Sequence, residues 1–483
     1  MSRPDLAIVG GDVVTTFVGP ATVVVRAGRI ERLQAPELPV DAQTVIDARG
    51  MLVLPGAIDI HFHSRDPSYA ERGDFASETR AAAAGGVTSV FEMPISKPGT
   101  ATLARWQRRR AIAAAKAYVN IGLYAAPGLL DADDTRALVE AGAIGFKLFT
   151  TKPAPGREDE FEGLATRDLA HVLKVLEMIR DLGLRCVFHA EDQSLIELHT
   201  ARAQHLPGPD HLRHNASRPA VVEATAAAGI VQLALATGCP IHIAHVSSAA
   251  TLDVIRHAKR VGAPVTAETC PHYLFCTEDD LAQAGPFGVI NPPIRQASDR
   301  DALWAGLDDG TLDVIATDHA PYARREKEAA IGDVLSAPPG HPGVETLLPL
   351  LMTAVADGRL TLERVVELVS ERPARLFGLH PFKGVLAPGS DADITVYDPR
   401  ERRLIRRGEG ESRAADCNLL YAGREVAGRV HATIVNGALA FHDGAITGAP
   451  GLGRIVRPGA STVSLPENTE PHPAGFEEAR THG

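Results

Sequence analysis

Two histidines set two residues apart, His61 and His63 in Asp59-Ile60-His61-Phe62-His63, close a short apolar run. In an extended strand, residues two apart project from one face, so both imidazoles can address a single ion. A His-x-His pair by itself also suits two hydrogen-bonded turn residues. Four further polar residues stand where other apolar runs stop: Lys147 in GFKLF, His189 in VFHAED, His245 in IAHVSS and Asp318 in IATDHAP. Singly, Lys147 reads as a snorkelling side chain, the two histidines as core residues and Asp318 as a helix cap. As six groups converging on one rim they read as a metal site, and the chemistry such a site offers is attack by a metal-activated water.

Such groups need elements to carry them. From Pro55 to about Phe377, apolar strands such as Val87 to Met93, Ile121 to Tyr124, Arg185 to His189 and Ile241 to Val246 alternate with Ala-rich amphipathic stretches such as Ala101 to Lys116 and Asp168 to Leu182. Alternation of this kind implies a parallel sheet, and the number of units fits a closed (β/α)8 TIM barrel better than an open doubly wound sheet. Barrel active sites collect at the C-terminal ends of strands, where all six groups fall. The flanks read differently, as short β-branched runs between Gly-rich turns: Leu6 to Val9, Ala21 to Val25, and later ADITVYDP and HATIVNG. The expected organisation is a barrel over residues 55–379 with one small discontinuous β-sandwich formed by residues 1–54 and 380–445. Residues 446–483 are rich in Pro, Gly, Glu and Thr and are expected as a mobile tail or an arm toward a neighbouring subunit.

Composition bounds the function classes. At 483 residues, 45% hydrophobic and 23% charged, the chain is neither disordered nor fibrous. A net charge of -11 with no long basic run argues against a nucleic-acid partner, and Arg108, Arg109 and Arg110 read as a solvated helix face. MSRPDLAIVGGDVV lacks the signal-peptide pattern, and no run of about 18 uninterrupted apolar residues follows, so no membrane partner and a cytoplasmic location are expected. Cys186, Cys239, Cys270, Cys276 and Cys417 are scattered and lack CxxC spacing, which suits a reducing compartment and packing roles.

DIHFH, GFKLF, HAED, HVSS, ETCPHY, NPPIR and TDHAP occur in this order with barrel-sized gaps. Together they resemble the amidohydrolase superfamily, in its dihydroorotase, allantoinase and hydantoinase branch, over roughly residues 5–440. The resemblance implies a lysine carbamylated by carbon dioxide that bridges two divalent cations, usually zinc. Carried onto this chain, Lys147 is the bridge, His61, His63 and Asp318 hold the more buried ion, and His189 with His245 hold the more exposed one. It also implies ring-opening of a cyclic amide, with Asp318 as the proton shuttle, and a dimer or tetramer. Glu268, His272 and His319 are then candidates to orient the ligands, and His319 also to touch substrate.

Substrate identity is less well marked. Arg65, in His-x-His-x-Arg, resembles the dihydroorotase arginine that grips a carboxylate, a task suited to a planar bidentate donor. Its companions differ, with Ile95 in MPISKP where that family has Asn, and Tyr322 in DHAPY where it has His. ETCPHY, GDVLSAPPGHPGVET and the insert after Lys147 look more like allantoinases and hydantoinases. The main expectation is a dihydroorotase-like hydrolase, with an allantoinase or a hydantoinase/dihydropyrimidinase as the alternative. Arg65, Asn291 of NPPIR, His319 and Tyr322 are the expected substrate contacts, and Thr150 to Glu162, with Pro153, Pro155 and Gly156, a candidate lid. Two other classes remain to be separated. A mononuclear deaminase has no use for a bridging lysine such as Lys147, and a non-catalytic scaffold has no need to retain all six ligands.

Overall fold

A computed structural model describes residues 3–15, 18–154 and 156–460. Both ends of the chain build one sheet and the middle builds another. From the N-terminal end come β1 (Leu6–Val14), β2 (Val18–Arg26), β3 (Arg29–Gln34), β4 (Thr44–Asp47) and β5 (Leu52–Pro55). Only Gly56 separates β5 from the first barrel strand. The barrel strands are β6 (Ala57–Phe62), β7 (Val87–Glu92), β8 (Asn120–Ala125), β9 (Gly145–Phe149), β10 (Cys186–His189), β11 (Ile241–Ile243), β12 (Val265–Thr269) and β13 (Val314–Ile315). The chain then returns to the first sheet with β14 (Ile394–Leu404), β15 (Glu425–Val435), β16 (Ala438–His442) and β17 (Ala445–Ile446).

The eight middle strands pair in parallel in sequence order from β6 to β13. Closure comes from the segment just after β13: Phe62 bridges His319 in parallel, and the His63 N–H donates to His319 O at 2.8 Å. The expected (β/α)8 barrel is therefore present. Its strands are buried on both faces, as a parallel sheet covered by helices requires, and this explains their near-continuous apolar runs. Inside the barrel, Ile58, Ile60, Phe91, Tyr124, Val187, Ala244 and Val314 fill the lower layers, so the strand ends are the only place left for chemistry.

The terminal strands form a nine-stranded mixed sheet in the order β17-β16-β15-β14-β5-β1-β2-β3, with β4 beside β1. β5 from the N-terminal part pairs antiparallel with β14 from the C-terminal part, Val53 opposite Val396, so the two flanks are one discontinuous unit. Ile8, Val23, Val25, Ile46, Val53, Ile394 and Ile434 pack together on its inner side.

The stretch expected as a mobile tail departs from expectation in its first part. The Val456 N–H donates to Ile121 O at 2.9 Å, the Ile121 N–H to Arg454 O at 2.8 Å, and Val456 is fully buried among barrel residues. Val456, the partly buried Ile455 and two ladder hydrogen bonds thus dock residues 453–456 alongside β8. Residues 461–483 lie outside the described residues. The run Asp210–Thr237 has the length and hydropathy, 1.6, of a membrane span by composition alone; in the fold it lies on the barrel, its Gly229 against Leu169 of the helix Leu169–Ile179.

Candidate active site at the barrel mouth

The six expected ligands lie on or just after barrel strands. His61 is near the end of β6 and His63 just beyond it; Lys147 is central in β9, His189 ends β10, His245 follows β11 and Asp318 follows β13. His61 Nε2 lies 3.2 Å and His63 Nε2 3.6 Å from Asp318 Oδ1, and the ligand atoms of these three residues lie within 4.8 Å of one another. A second group faces them, with His189 Nδ1 2.9 Å from His245 Nε2. The rings of His61 and His245, 5.2 Å apart, join the two groups into one cluster.

The surrounding hydrogen bonds fix which nitrogens are free to ligate. His61 Nδ1–H donates to Glu268 Oε1, leaving the Nε2 lone pair toward Asp318. His189 Nε2–H donates to Glu191 Oε2 at 2.8 Å, which leaves the Nδ1 lone pair toward His245. Glu268 also accepts from His242 Nε2–H at 3.2 Å, and Glu191 is held by Arg218. Carboxylates behind ligand histidines set the tautomer and raise the basicity of the ring. Burial holds His63 down to about 3 and also lowers His189 and His245, so these imidazoles stay neutral and keep their lone pairs. Burial works to raise Asp318, but His61 and His63 facing it prevail and hold it below the usual carboxylate range.

Lys147 is the anomaly of the cluster. It is fully buried and its Nζ has no hydrogen-bond partner among the described residues, with the Phe149 ring 5.0 Å away. Burial pushes its pKa down to about 8. An amine left without an acceptor costs about 1–3 kcal/mol, so its presence needs a partner of another kind. A divalent-cation pair fits this donor set: neutral imidazoles with free lone pairs, one low-pKa carboxylate, and a bare amine that can gain oxygen ligands by carbamylation. Backbone strain gathers in the same place, since Arg65, His245 and Asp318 are non-glycine residues with φ of 71°, 40° and 48°.

Of the expected substrate contacts, Arg65 and Tyr322 are brought together. Arg65 is buried beside His63, its Nε–H donates to Pro321 O at 3.0 Å, and its guanidinium lies 4.6 Å from the Tyr322 ring. Arg72 covers the same ring at 4.7 Å. Burial works to raise the Tyr322 phenol, yet Arg65, Arg157 and Arg72 hold it below its ordinary value. Asn291 is engaged through its side-chain oxygen, Oδ1, which accepts from His214 at 3.0 Å. The structure turns His319 away: its ring stacks on Phe62, Nδ1 accepts from the Gly343 N–H at 3.1 Å and Nε2–H donates to Glu78 Oε2 at 2.9 Å. Its immediate neighbour Asp318, at φ 48°, turns instead toward His61 and His63.

The insert after Lys147 folds over the chamber, apart from Pro155, which lies outside the described residues. Arg157 pairs with Glu160 at 2.6 Å, Tyr69 O–H donates to Glu160 at 2.5 Å, and Lys97 meets Asp159 at 3.3 Å. Glu191, His242, Arg157 and Tyr69 carry no spacing signal that would single them out in the sequence; Glu191 alone has a hint, sitting two residues after His189 in HAED.

A closed parallel barrel whose C-terminal rim gathers imidazoles, one carboxylate and an unpartnered lysine defines the class of metal-dependent barrel hydrolases. The sequence pattern of the amidohydrolase family matches residues 52–440. The chain is 32% identical over 440 residues to an L-hydantoinase of Paenarthrobacter aurescens, covering 90% of this chain and 94% of that one. It is 35% identical over 435 residues to a D-phenylhydantoinase of Escherichia coli, covering 88% and 90%. Among solved structures, an L-hydantoinase (dihydropyrimidinase) from Arthrobacter aurescens superposes with a TM-score of 0.89 at 31% identity, covering 94% of this chain and all of that one. This chain belongs to the amidohydrolase family, in its cyclic amidohydrolase branch, and is an enzyme. Within that branch the relatives favour the hydantoinase/dihydropyrimidinase alternative over the dihydroorotase-like expectation.

Proposed function

We propose that the protein opens hydantoin- and dihydropyrimidine-type rings by hydrolysis of a ring amide, using two divalent cations, zinc by preference, bridged by carbamylated Lys147. The observation that supports this is the buried Lys147 amine, which has no hydrogen-bond partner among the described residues and whose charge acts on His189 and His245. A pKa near 8 leaves a fraction of the amine neutral at neutral pH, and its lone pair can bond to the carbon of carbon dioxide while one N–H proton departs to solvent. His61, His63 and Asp318 would hold one cation and His189 with His245 the other. When bound, such a pair supplies a hydroxide at neutral pH and polarises the scissile carbonyl.

The remaining work falls to the chain. Asp318, held ionised by His61 and His63, takes the proton of the attacking oxygen and returns it to the departing ring nitrogen. Backbone groups of residues 291–293 suit the alternating donors and acceptors of a cyclic imide or ureide. The insert folded over the mouth excludes water. Arg65, flanked by Tyr322 and Arg157, favours a ring substituent carrying a carboxylate, the element of dihydroorotase-like recognition that the site retains.

A panel tests the reading: hydantoin, both enantiomers of 5-substituted hydantoins with neutral and carboxylate side chains, dihydrouracil, dihydroorotate and allantoin, each with zinc-loaded protein. Ring-opening of the hydantoins and dihydrouracil is expected, fastest where the substituent is acidic. Exclusive turnover of allantoin or dihydroorotate would move the assignment to those specificities, and no turnover of any ring would overturn it.

A further inference from the structure

Lys327, on the short helix Arg324–Glu328, has no accessible surface, although a buried lysine ordinarily needs a carboxylate partner. Among the described residues it forms no ion pair; its ammonium donates instead to three backbone carbonyls, Pro338 O at 2.7 Å, Val289 O at 3.2 Å and Pro286 O at 3.3 Å. Its Nζ also stands 5.5 Å from the centroid of the Tyr322 ring. Three N–H bonds meet three acceptors, a match that a neutral amine, with two, cannot make. Burial pushes its pKa down to about 7, and the three acceptors oppose that by favouring the fully protonated form.

The three carbonyls belong to segments that are distant in sequence. Pro286 and Val289 lead into Asn291 and Pro292, and Pro338 belongs to the loop that returns to His341. The Gly340 N–H donates to the same Val289 O at 2.9 Å, closing the second loop onto the first. A side chain at Gly340, where φ is +150°, would meet Ala320 O at 2.6 Å and the Tyr322 ring at 2.8 Å, so the pinned loop lies directly against Tyr322. On its far side the Asn291 loop is tied by Tyr273 O–H to Pro292 O at 2.6 Å. Lys327 thus ties both loops together behind Tyr322 with a charged group.

We propose that Lys327 is a positioning residue whose ammonium draws residues 286–292 and 338–340 together and thereby seats Tyr322 and the Asn291 backbone as one wall of the substrate chamber. The inference rests on the cyclic-amide reading, in which that wall faces substrate. A methionine fills the same volume but removes all three N–H bonds: Val289 O keeps the Gly340 N–H and Pro286 O the Val289 N–H, while Pro338 O is left without a donor among the described residues, so the second loop loosens from the first while the ligand cluster, carried on other strands, stays assembled.

The test compares Lys327→Met with the wild-type protein by hydrogen exchange, zinc content and steady-state kinetics. Exchange is expected to quicken in residues 285–293 and 319–342 and to stay unchanged in residues 57–63, with zinc content intact. On the best substrate of the panel, KM should rise about tenfold with kcat within about threefold, a loss of ground-state binding rather than of chemistry. Lys327→Ala should regain activity in methylammonium chloride and gain nothing from sodium chloride. Lys327→Gln, which keeps two N–H donors, should give a smaller KM effect and replaces the Met variant if that does not fold. Unchanged exchange in both loops, or a collapse of zinc content and kcat together with exchange spread through the barrel, overturns the inference. Failure of the wild-type protein to open any ring counts against the cyclic-amide reading, and the exchange comparison still decides the positioning role.

Discussion

Replacing Glu268 with Gln changes one atom and should disarm one metal ligand. Each oxygen of Glu268 accepts a ring N–H, Oε1 from His61 and Oε2 from His242 at 3.2 Å, and the His245 backbone N–H reaches Oε1 at 3.3 Å. Burial works to raise this carboxyl, yet the two histidines hold it down to about 2, so both bonds are made to a carboxylate. A glutamine offers one acceptor and an NH2 that opposes the other ring N–H. His242 has an alternative through Nδ1, bonded to Thr266 Oγ1 at 2.8 Å, so the amide turns its NH2 to His242 and its oxygen to His61. A neutral oxygen holds the His61 proton on Nδ1 less firmly than a carboxylate, and the Nε2 lone pair that faces Asp318 becomes a poorer donor to a cation. Losing a charge-assisted hydrogen bond costs about 1.5–3 kcal/mol, or roughly 10- to 150-fold, in line with the 10- to 100-fold typical of groups behind metal ligands. Competition with a chromophoric chelator should show one of two zinc ions bound about 10- to 100-fold more weakly, with kcat falling in parallel at subsaturating zinc. Unchanged zinc affinity and kcat would refute the assignment of Glu268 as the group that sets the His61 tautomer.

Other perturbations separate neighbouring roles. Arg65→Met should lower kcat/KM about 30- to 100-fold on rings carrying a carboxylate and leave hydantoin itself within about threefold; a uniform loss would make Arg65 a structural support. Lys147→Met should abolish turnover, yet the metal-free variant should melt no lower than the metal-free wild type, because it removes a buried amine that has no partner. Glu78, which accepts from His319, Ser412 O–H and the Arg413 N–H, ties the barrel to residues 412–413 behind the site. Glu78→Ala should cost about 3 kcal/mol in denaturant unfolding with KM little changed, and a KM effect without a stability loss would place it in substrate binding instead.

The barrel was legible because a parallel sheet covered on both faces writes itself as apolar runs, and the ligands because each run ends in one conspicuous polar residue. His61 and His63 share a face by strand geometry, and the structure brings both to Asp318. What the sequence hides depends on direction and distance. His319 and Asp318 are adjacent, yet one faces the chamber and the other Glu78, and nothing in TDHAP tells which is which. Residues 450–459 have the composition of a tail, but Val456 and the partly buried Ile455 supply apolar anchors that a composition average dilutes. Glu191, His242 and Lys327 act through partners 2, 26 and 11 to 41 residues away. Glu191 has one local partner, His189, besides the distant Arg218, which is why it left a trace in HAED and the other two left none.

The proposed function requires a pair of cations held by six side chains, Lys147 among them. Metal analysis of the purified protein, run beside a hydantoin-opening assay during chelation and zinc restoration in bicarbonate buffer, addresses it directly. The expected result is two divalent ions per chain, turnover lost as they leave, and full recovery only with zinc and bicarbonate together. Sustained turnover with less than one ion per chain, or recovery indifferent to bicarbonate in rigorously carbon-dioxide-free apoprotein, would contradict it.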